Sequence, residues 1–310
     1  MQSYMLENEK MRVTVLEYGA RITEIYHKAL RRNLVLAYAT PEAYRKDVNY
    51  LCATIGPNAN RLAQGVFFLN GKKHQWESND GKNNLHSGEY GLDHAAWKGA
   101  VEENRLRFFT TQEKPFLSAY EAVFTLQDET LSVEYFAEPE EPALLNLTNH
   151  TYFHLDANET VLDYSLQLYA DCYTPFDETG IPTGEVRRVK DSCFDFRKAR
   201  TLRAALTEKT QEPDGGYDHN FVCKTAGFSP MAVIGTDDLT LRISSTAPAF
   251  QLYTANNFIW QGKHSPFAAI CVEPQYIPNS INIPYFAQPV YTKAHPFYQK
   301  TVYAFAQKAH

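Results

Sequence analysis

The chain has 310 residues, of which 44% are hydrophobic and 21% are charged, an ordinary balance for a globular protein. Its 30 Lys and Arg against 36 Asp and Glu give a net charge of −6, and no basic stripe is present. Nucleic acid is therefore not an expected partner, because phosphate binding requires clustered cations. A neutral or small polar substrate fits this composition better.

The N-terminal segment MQSYMLENEKMRVTV has no basic start followed by an apolar segment, so no signal peptide is expected. No run of about 18 apolar residues occurs, so no membrane partner is expected either. The cysteines are odd in number, scattered and without a C-x-x-C pair: Cys52, Cys172, Cys193, Cys223 and Cys271. This usage predicts reduced thiols in a cytoplasmic protein and disfavours a zinc site.

Apolar residues recur with a period of two along most of the chain. MRVTVLEYGARITEI alternates over Val13 and Val15, and again after Gly19 over Ile22 and Ile25. LSVEYFAE, LTLRISS and TVYAFAQ continue this pattern further along. Repeated short alternating segments predict half-buried antiparallel strands.

Turn and helix signals complete the predicted elements. In TPEAYRKD, Thr40 is a candidate N-cap and Pro41 a candidate first helical residue, which predicts one short helical turn. In GVFFLNGKKHQW, Asn70-Gly71 separates two strand-like segments and predicts a β-hairpin. A second short helix is expected within SCFDFRKARTLRAALTE.

These elements predict an all-β fold: one large antiparallel β-sandwich of twisted sheets with a few short helices. No linker, low-complexity segment or fixed-period repeat is visible, so residues 1–310 are expected to form a single domain, with a two-domain division as the alternative. No glycine-rich phosphate loop occurs, so no nucleotide cofactor is expected.

Two glycine-rich segments carry candidate site residues. In GPNANRLAQG, Asn60 and Arg61 lie between a turn and the predicted hairpin. The planar fork of Arg61 is suited to sugar or carboxylate oxygens, and a structural salt bridge is the alternative. In NNLHSGEYG, His86 lies among turn-forming residues, where both a functional histidine and an ordinary surface histidine occur.

The segment LLNLTNHTYFHLD places polar residues in what looks like a buried strand. Strand alternation puts Asn146, Thr148 and His150 on one face. A polar face of this kind requires a ligand or a hydrogen-bond network to satisfy it. His150 is therefore either a site residue or a hydrogen-bonded core histidine.

Two carboxylates complete the candidate set. Glu273 follows the apolar segment AAICV and precedes Pro274, so we expect it at the end of a buried strand. Burial raises the proton affinity of a carboxylate and suits a general base, whereas a capping or salt-bridging role is the alternative. Asp218, in GGYDHNF, is a candidate acceptor for hydroxyl groups.

With these residues in view, the chain resembles the aldose 1-epimerases, also called galactose mutarotases. The matching segments are ANRLAQGVFFLNGKKHQW, NNLHSGEYGLDHAAW, LNLTNHTYFHLD, IPTGE with FDFR, GGYDHNF, LYTANNF and EPQYIPNSIN, in that order. Together they cover about residues 50–285. The resemblance implies a β-supersandwich that interconverts the α and β anomers of free aldohexoses without a metal or organic cofactor, as a monomer or homodimer.

Site roles follow from the resemblance, motif by motif. It implies that His150 is the general acid, protonated near neutral pH, that Glu273 is the general base, and that His86 orients and polarises the sugar. The remaining residues implied to bind the sugar are Asn60, Arg61, Asp218 and Gln275.

Two positions depart from the family pattern. Gly56-Pro57-Asn58 stands where the family usually has Gly-Arg, and His154 stands where asparagine is common. Three other functions remain open: a non-catalytic carbohydrate-binding protein, a glycoside hydrolase using Asp218 and Glu273, and an epimerase for phosphorylated hexoses. The last should carry additional Arg or Lys around the pocket.

Overall fold

The computed structural model describes residues 1–208 and 215–308. In chain order the first strands are β1 (Ser3–Glu7), β2 (Met11–Leu16), β3 (Arg21–His27), β4 (Arg32–Asn33), β5 (Thr54–Ile55), β6 (Arg61–Leu62), β7 (Val66–Leu69), β8 (Lys72–Gln75), β9 (Asn84–Leu85), β10 (Lys98–Glu102), β11 (Arg105–Gln112), β12 (Ser118–Gln127), β13 (Thr130–Pro139) and β14 (Ala143–Leu144). The remaining strands are β15 (Thr148–Asn149), β16 (Ser165–Leu168), β17 (Ala170–Thr174), β18 (Arg187–Arg188), β19 (Arg200–Thr201), β20 (Asp218–Cys223), β21 (Ser229–Gly235), β22 (Leu239–Ser245), β23 (Ala249–Tyr253), β24 (Ile259–Trp260), β25 (Lys263–His264), β26 (Cys271–Gln275), β27 (Val290–Tyr291) and β28 (Phe297–Gln307).

Helical structure is sparse among the described residues. One α-helix covers Leu202–Glu208, and short 3-10 helices cover Pro41–Lys46, Ala63–Gly65, Gly88–Tyr90, Leu92–His94 and Ser280–Asn282. Both predicted helical segments are therefore confirmed. Thr40 does occupy the N-cap position of the first 3-10 helix, but its side chain makes no capping hydrogen bond.

Antiparallel sheets form the body of the molecule and confirm the all-β prediction. A nine-stranded sheet runs in the order β10-β11-β12-β13-β28-β22-β21-β16-β19, a five-stranded sheet in the order β18-β17-β20-β23-β26, and a four-stranded sheet from β1 to β4. A single cluster of buried apolar side chains extends from Leu6 to Phe305 and contains residues of all three sheets. The alternating buried and exposed residues of β13 show why the sequence folds this way, since one face of the strand enters this core.

The predicted hairpin is confirmed at β7 and β8. Asn70 and Gly71 connect these strands with φ values of 51° and 77°. Two consecutive positive φ angles are what a tight two-residue hairpin requires, and Asn-Gly adopts them readily.

One local prediction is wrong. The LLNLTNHTYFHLD segment is not one continuous strand: Leu144 ends β14, Thr148 and Asn149 form β15, and every residue from 143 to 153 is buried. The Asn146 side chain accepts from the backbone of Tyr276 at 2.9 Å and donates to the carbonyl of Ala59 at 3.4 Å. Asn146 and Thr148 therefore belong to the interior of the fold and do not line a pocket with His150.

The structure places the ends of several short strands against the five-stranded sheet. β15 pairs with β5, and β6 pairs with β9 through Arg61 and Leu85, directly before His86. No helix among the described residues is long and apolar enough to span a bilayer.

Candidate active site

A cavity of about 110 Å³ lies between these short strands and the five-stranded sheet. Its lining residues are Val48, Asn49, Tyr50, Asn60, Arg61, Leu85, His86, His150, Tyr152, Asp218, Tyr253 and Glu273. All predicted site residues except Gln275 are in this set. Gln275 is fully buried two residues beyond Glu273, so the structure does not bring it into the cavity wall.

His150 and Glu273 face each other in this cavity. Nε2 of His150 lies 3.7 Å from Oε1 of Glu273, too far for a hydrogen bond and close enough for both groups to reach one small ligand. Glu273 lies in the middle of β26, not at the end of the strand as the sequence suggested. Pro274 is tolerated in β26 because this strand is at the edge of its sheet.

Burial controls the protonation of this pair. It raises the pKa of Glu273 well above its usual range, the charge of Asp218 adds to that effect, and Arg61 opposes it. Burial also lowers the pKa of His150 to about 4, although Asp218 favours the charged ring. Burial therefore favours the neutral form of each group, which runs against the expectation of a protonated His150 at neutral pH.

His86 is held in one tautomer. Its Nδ1 accepts a hydrogen bond of 3.0 Å from the backbone N–H of Asn60. The proton of the neutral ring is then on Nε2. Burial, with the nearby His150 and Arg61, lowers the pKa of His86 well below its usual value. His86 is thus a neutral hydrogen-bond donor.

Arg61 and Asp218 form the polar side of the cavity. Nε of Arg61 donates to Asp80 at 2.7 Å, and Nη1 lies 3.4 Å from Oδ2 of Asp218. The other oxygen of Asp218 accepts from Nε2 of Gln251 at 2.8 Å. Burial opposes the charge on Asp218, but Arg61 and Gln251 outweigh it and hold the pKa of this carboxyl below its usual value. Asp218 is therefore an ionised acceptor for hydroxyl groups.

The backbone around the cavity is strained. Tyr50, Asn60, His86 and Ser87 have φ values of 55°, 64°, 52° and 72°. Left-handed conformations of residues other than glycine persist only where the surrounding contacts enforce them, and they concentrate at functional sites.

Nearly the whole chain is similar to known proteins. The family model described as aldose 1-epimerase matches residues 2–303. The galactose mutarotase of Homo sapiens is 32% identical over 308 residues, covering 92% of this chain and 88% of the human protein. The aldose 1-epimerase of Haemophilus influenzae is 33% identical over 304 residues, covering 91% of this chain and 88% of that protein. The chain belongs to the aldose 1-epimerase family.

Solved structures agree with this assignment to the aldose 1-epimerases, a family of isomerases. The aldose epimerase homologue from C. elegans superposes with a TM-score of 0.91 at 26% identity, covering 99% of this chain and all of the other. The galactose 1-epimerase from Lactobacillus acidophilus gives a TM-score of 0.86 at 27% identity, covering 98% and 94%.

The two departures from the aldose 1-epimerase pattern lie outside the cavity. The carbonyl of Pro57 accepts a hydrogen bond from the backbone N–H of Asn146 at 2.6 Å. The backbone N–H of Asn58 donates to the hydroxyl of Ser87, and that hydroxyl donates to the carbonyl of Asn58. Nδ1 of His154 lies 2.6 Å from the carbonyl of Ala268. Both positions therefore serve the packing of loops and strands.

Three residues of this aldose 1-epimerase have the composition of a metal site. The ligand atoms of His86, His150 and Glu273 lie within 4.8 Å of one another. A metal on Nε2 of His86 would require the proton on Nδ1, where the N–H of Asn60 already points. The hydrogen-bonding pattern thus fits proton donation better than metal binding.

Several residues of the site are not among those that the sequence predicts. Tyr152 stacks on His150 with ring centroids 4.8 Å apart and an interplanar angle of 13°, and Tyr253 meets His150 edge-on at 5.9 Å. Tyr50 contacts the ring of His86 at 4.6 Å. Aromatic residues are so common in this chain that the sequence does not mark these three tyrosines as site residues. Gln251 is likewise indistinguishable from any other polar residue of an alternating strand.

Proposed function

We propose that this chain is an aldose 1-epimerase that interconverts the α and β anomers of free aldohexoses such as glucose and galactose. The observation that carries this proposal is the pair of His150 and Glu273, 3.7 Å apart inside the cavity. The cavity opens beside a groove of about 730 Å³ that shares Arg61 and Asp218 with it, so a hexose has room to enter. One acid, one base and hydroxyl-binding groups are what ring opening requires.

The reaction begins with the pyranose ring closed. Glu273 removes the proton of the anomeric hydroxyl while His150 delivers a proton to the ring oxygen. The bond between C1 and O5 breaks, and the open aldehyde forms. Rotation about the C1–C2 bond presents the other face of the carbonyl, and closure reverses both proton transfers.

The pair carries one proton through this cycle. Ring opening starts with Glu273 ionised and His150 protonated, and ends with Glu273 protonated and His150 neutral. Burial favours this second state in the free protein, because both groups are then uncharged. Bound hydroxyl groups must therefore stabilise the charged state before the ring opens, which makes substrate binding part of catalysis.

The other site residues bind and polarise the sugar in this proposal. Nε2–H of His86 donates to a ring or hydroxyl oxygen, and the ionised Asp218 accepts from hydroxyl groups. Arg61 holds Asp218 and donates to the sugar, while Asn60 fixes the tautomer of His86.

The alternative functions have weaker support. Asp80, Asp177, Glu178 and Asp218 outnumber the cations Arg61 and Lys82 in the cavity and groove, a charge balance that disfavours phosphorylated hexoses. Asp218 is occupied by Arg61 and Gln251, so it is poorly placed to serve as the second carboxylate of a hydrolase. A protein that only binds sugar gains nothing from burying Glu273 with Oε2 unpartnered by any described residue.

We further propose a single domain, because the apolar cluster extends across all three large sheets. A monomer or homodimer in the cytoplasm completes the proposal, and five free cysteines fit a reducing compartment.

Polarimetry tests the proposed activity. Freshly dissolved α-D-glucose, α-D-galactose and α-D-glucose 6-phosphate are followed with wild type and with His150→Asn. We expect wild type to accelerate the equilibration of the free sugars, with the phosphate ester slower. Equilibration at the buffer rate for both free sugars overturns the proposal, and a preference for the phosphate ester supports the phosphohexose alternative.

A further inference from the structure

The five-stranded sheet carries a row of buried polar side chains on the same face as Glu273. Its register pairs Thr174 with Asn220, Asn220 with Gln251, and Gln251 with Glu273. Directly paired residues share a face of the sheet, and Gln275 shares it as well because it lies two residues beyond Glu273. We refer to Thr174, Asn220, Gln251 and Gln275 as the polar row.

The polar row is almost inaccessible to solvent, and its members are 0–3% exposed. Some of its polar atoms have no hydrogen-bond partner in residues 1–208 and 215–308: Oγ1 of Thr174, both amide atoms of Asn220, Oε1 of Gln251 and both amide atoms of Gln275. Oε2 of Glu273 is unpartnered in the same way. Buried polar atoms in folded proteins are bonded to protein or to ordered water, so a line of such atoms along the sheet face that ends at Glu273 points to bound water.

The spacing of the row suits water. Neighbouring strands are about 5 Å apart, and two hydrogen bonds of about 2.8 Å bridge such a separation through one water molecule. Gln251 turns its Nε2 to Asp218, which leaves its Oε1 as an acceptor between Asn220 and Glu273. Gln275 faces the small side chain of Ala249 across the sheet, and its amide therefore has no polar partner on that strand.

Among the described residues, the charged and titratable groups around Glu273 leave Oε2 of its carboxyl without a hydrogen bond. His86, His150, Arg61, Tyr50 and Tyr152 lie across the cavity from it. Asp218, Tyr253 and Cys271 lie on the same sheet face as Glu273. Oε1 is the oxygen that faces His150, and none of these groups hydrogen-bonds to Oε2 within the described part of the chain.

We propose that Gln275, and Asn220 through Oε1 of Gln251 on the strand between them, are positioning residues for bound water that reaches Oε2 of Glu273. This water fixes the direction of the carboxyl and donates to it when it is ionised, which favours the basic form needed for ring opening. The inference rests on the proposed function, and it assigns to the buried amides a role that the cavity lining alone does not reveal.

The kinetic test uses near-isosteric apolar variants. Asn220→Leu and Gln275→Met are expected to lower kcat for α-D-galactose about tenfold, as for the loss of one hydrogen bond to a charged group, with KM changed less than about twofold. The alkaline limb of the pH profile should move to higher pH, since Glu273 then holds its proton more tightly. Asn220→Ser, which keeps a hydroxyl and room for water, should restore most of kcat.

Tyr120→Phe is the matched control, because it removes an equally buried hydroxyl from β12 in the nine-stranded sheet, outside the cavity lining. The proposal is overturned if Gln275→Met behaves like the control, that is, if it loses thermal stability but keeps the kcat and the alkaline limb of the wild-type pH profile. If Asn220→Leu does not fold, Gln275→Met and Asn220→Ser still decide the outcome.

A crystal structure of the wild-type protein that resolves ordered water separates this inference from the proposed function. Water bonded to Oε2 of Glu273 and to Gln275, or linked to Asn220 through Oε1 of Gln251, supports the inference, even if the protein does not catalyse mutarotation. A polar row without water overturns it, even if the protein does.

Discussion

The backbone N–H of Asn60 donates to Nδ1 of His86 at 3.0 Å, and this single contact decides what His86 can do. A ring that accepts at Nδ1 must donate at Nε2 and cannot gain a second proton without losing the contact. The positive φ of both residues places their backbones for this bond. His86 is therefore a fixed neutral donor beside a pair that moves protons.

Replacement of His86 should reduce the rate more than the affinity. His86→Ala removes a donor to an oxygen that gains charge as the ring opens, and we expect kcat to fall about 100-fold. His86→Gln keeps an N–H at similar reach and should retain more activity than His86→Ala. Steady-state polarimetry on both variants checks this order, and equal rates for the two would show that the donor is unimportant.

The activity should depend on pH through the shared proton of His150 and Glu273. In acid the pair gains a second proton and activity is lost. Because the pKa of His150 is lowered to about 4, this loss of activity occurs at a pH well below the usual range of histidine. In alkali the pair loses its only proton and with it activity. Because the pKa of Glu273 is raised, this occurs at a pH well above the usual range of glutamate. We expect a bell-shaped pH profile of kcat/KM, with an acid limb near pH 4 and an alkaline limb well above the usual range of glutamate. A profile without either limb argues against the pair.

Glu273→Gln should stabilise the protein. The pKa of Glu273 is raised in the folded state, so its contribution to stability is present below the ordinary glutamate pKa and is lost as pH rises toward the folded value. Glutamine stays neutral and avoids that loss. We expect a gain of about 1–2 kcal/mol in unfolding free energy that grows between mildly acidic and alkaline pH. Thermal unfolding of both proteins across this pH range measures the difference in their unfolding free energies. A difference that shrinks as the pH rises would contradict the prediction.

Removal of the Arg61 guanidinium should weaken sugar binding. In Arg61→Met the buried Asp218 loses its cationic partner, its pKa rises, and its value as a hydroxyl acceptor falls. We expect KM to increase about 10- to 100-fold with a smaller effect on kcat. Arg203→Met, which breaks the exposed pair with Asp163, is the control and should leave KM unchanged.

Much of the fold follows from local chemistry that the sequence displays. The alternation around Val13 and Ile22 and the Asn70-Gly71 turn determine strands and a hairpin without help from distant contacts. Polar groups within apolar segments also make His150 and Glu273 candidates, and the family resemblance, not the local pattern, gives them the roles of acid and base.

Other features of the site depend on contacts that no local pattern contains. Asn146 looked like a neighbour of His150 on one face, but its amide is satisfied by Ala59 and Tyr276 from other parts of the chain. Two other features likewise arise between segments that meet only in the folded protein: the tautomer of His86 and the hydrogen bond from Gln251 to Asp218. Hydrogen bonds between distant segments decide these points, and alternation cannot reveal them.

The rate of anomer exchange in Glu273→Gln tests the central claim most directly, because glutamine keeps the shape of the side chain and removes the base. With α-D-galactose we expect kcat to fall about 10²- to 10⁴-fold, while titration with the sugar shows binding close to that of wild type. Full activity in a folded Glu273→Gln protein would contradict the claim that Glu273 and His150 exchange the protons of ring opening.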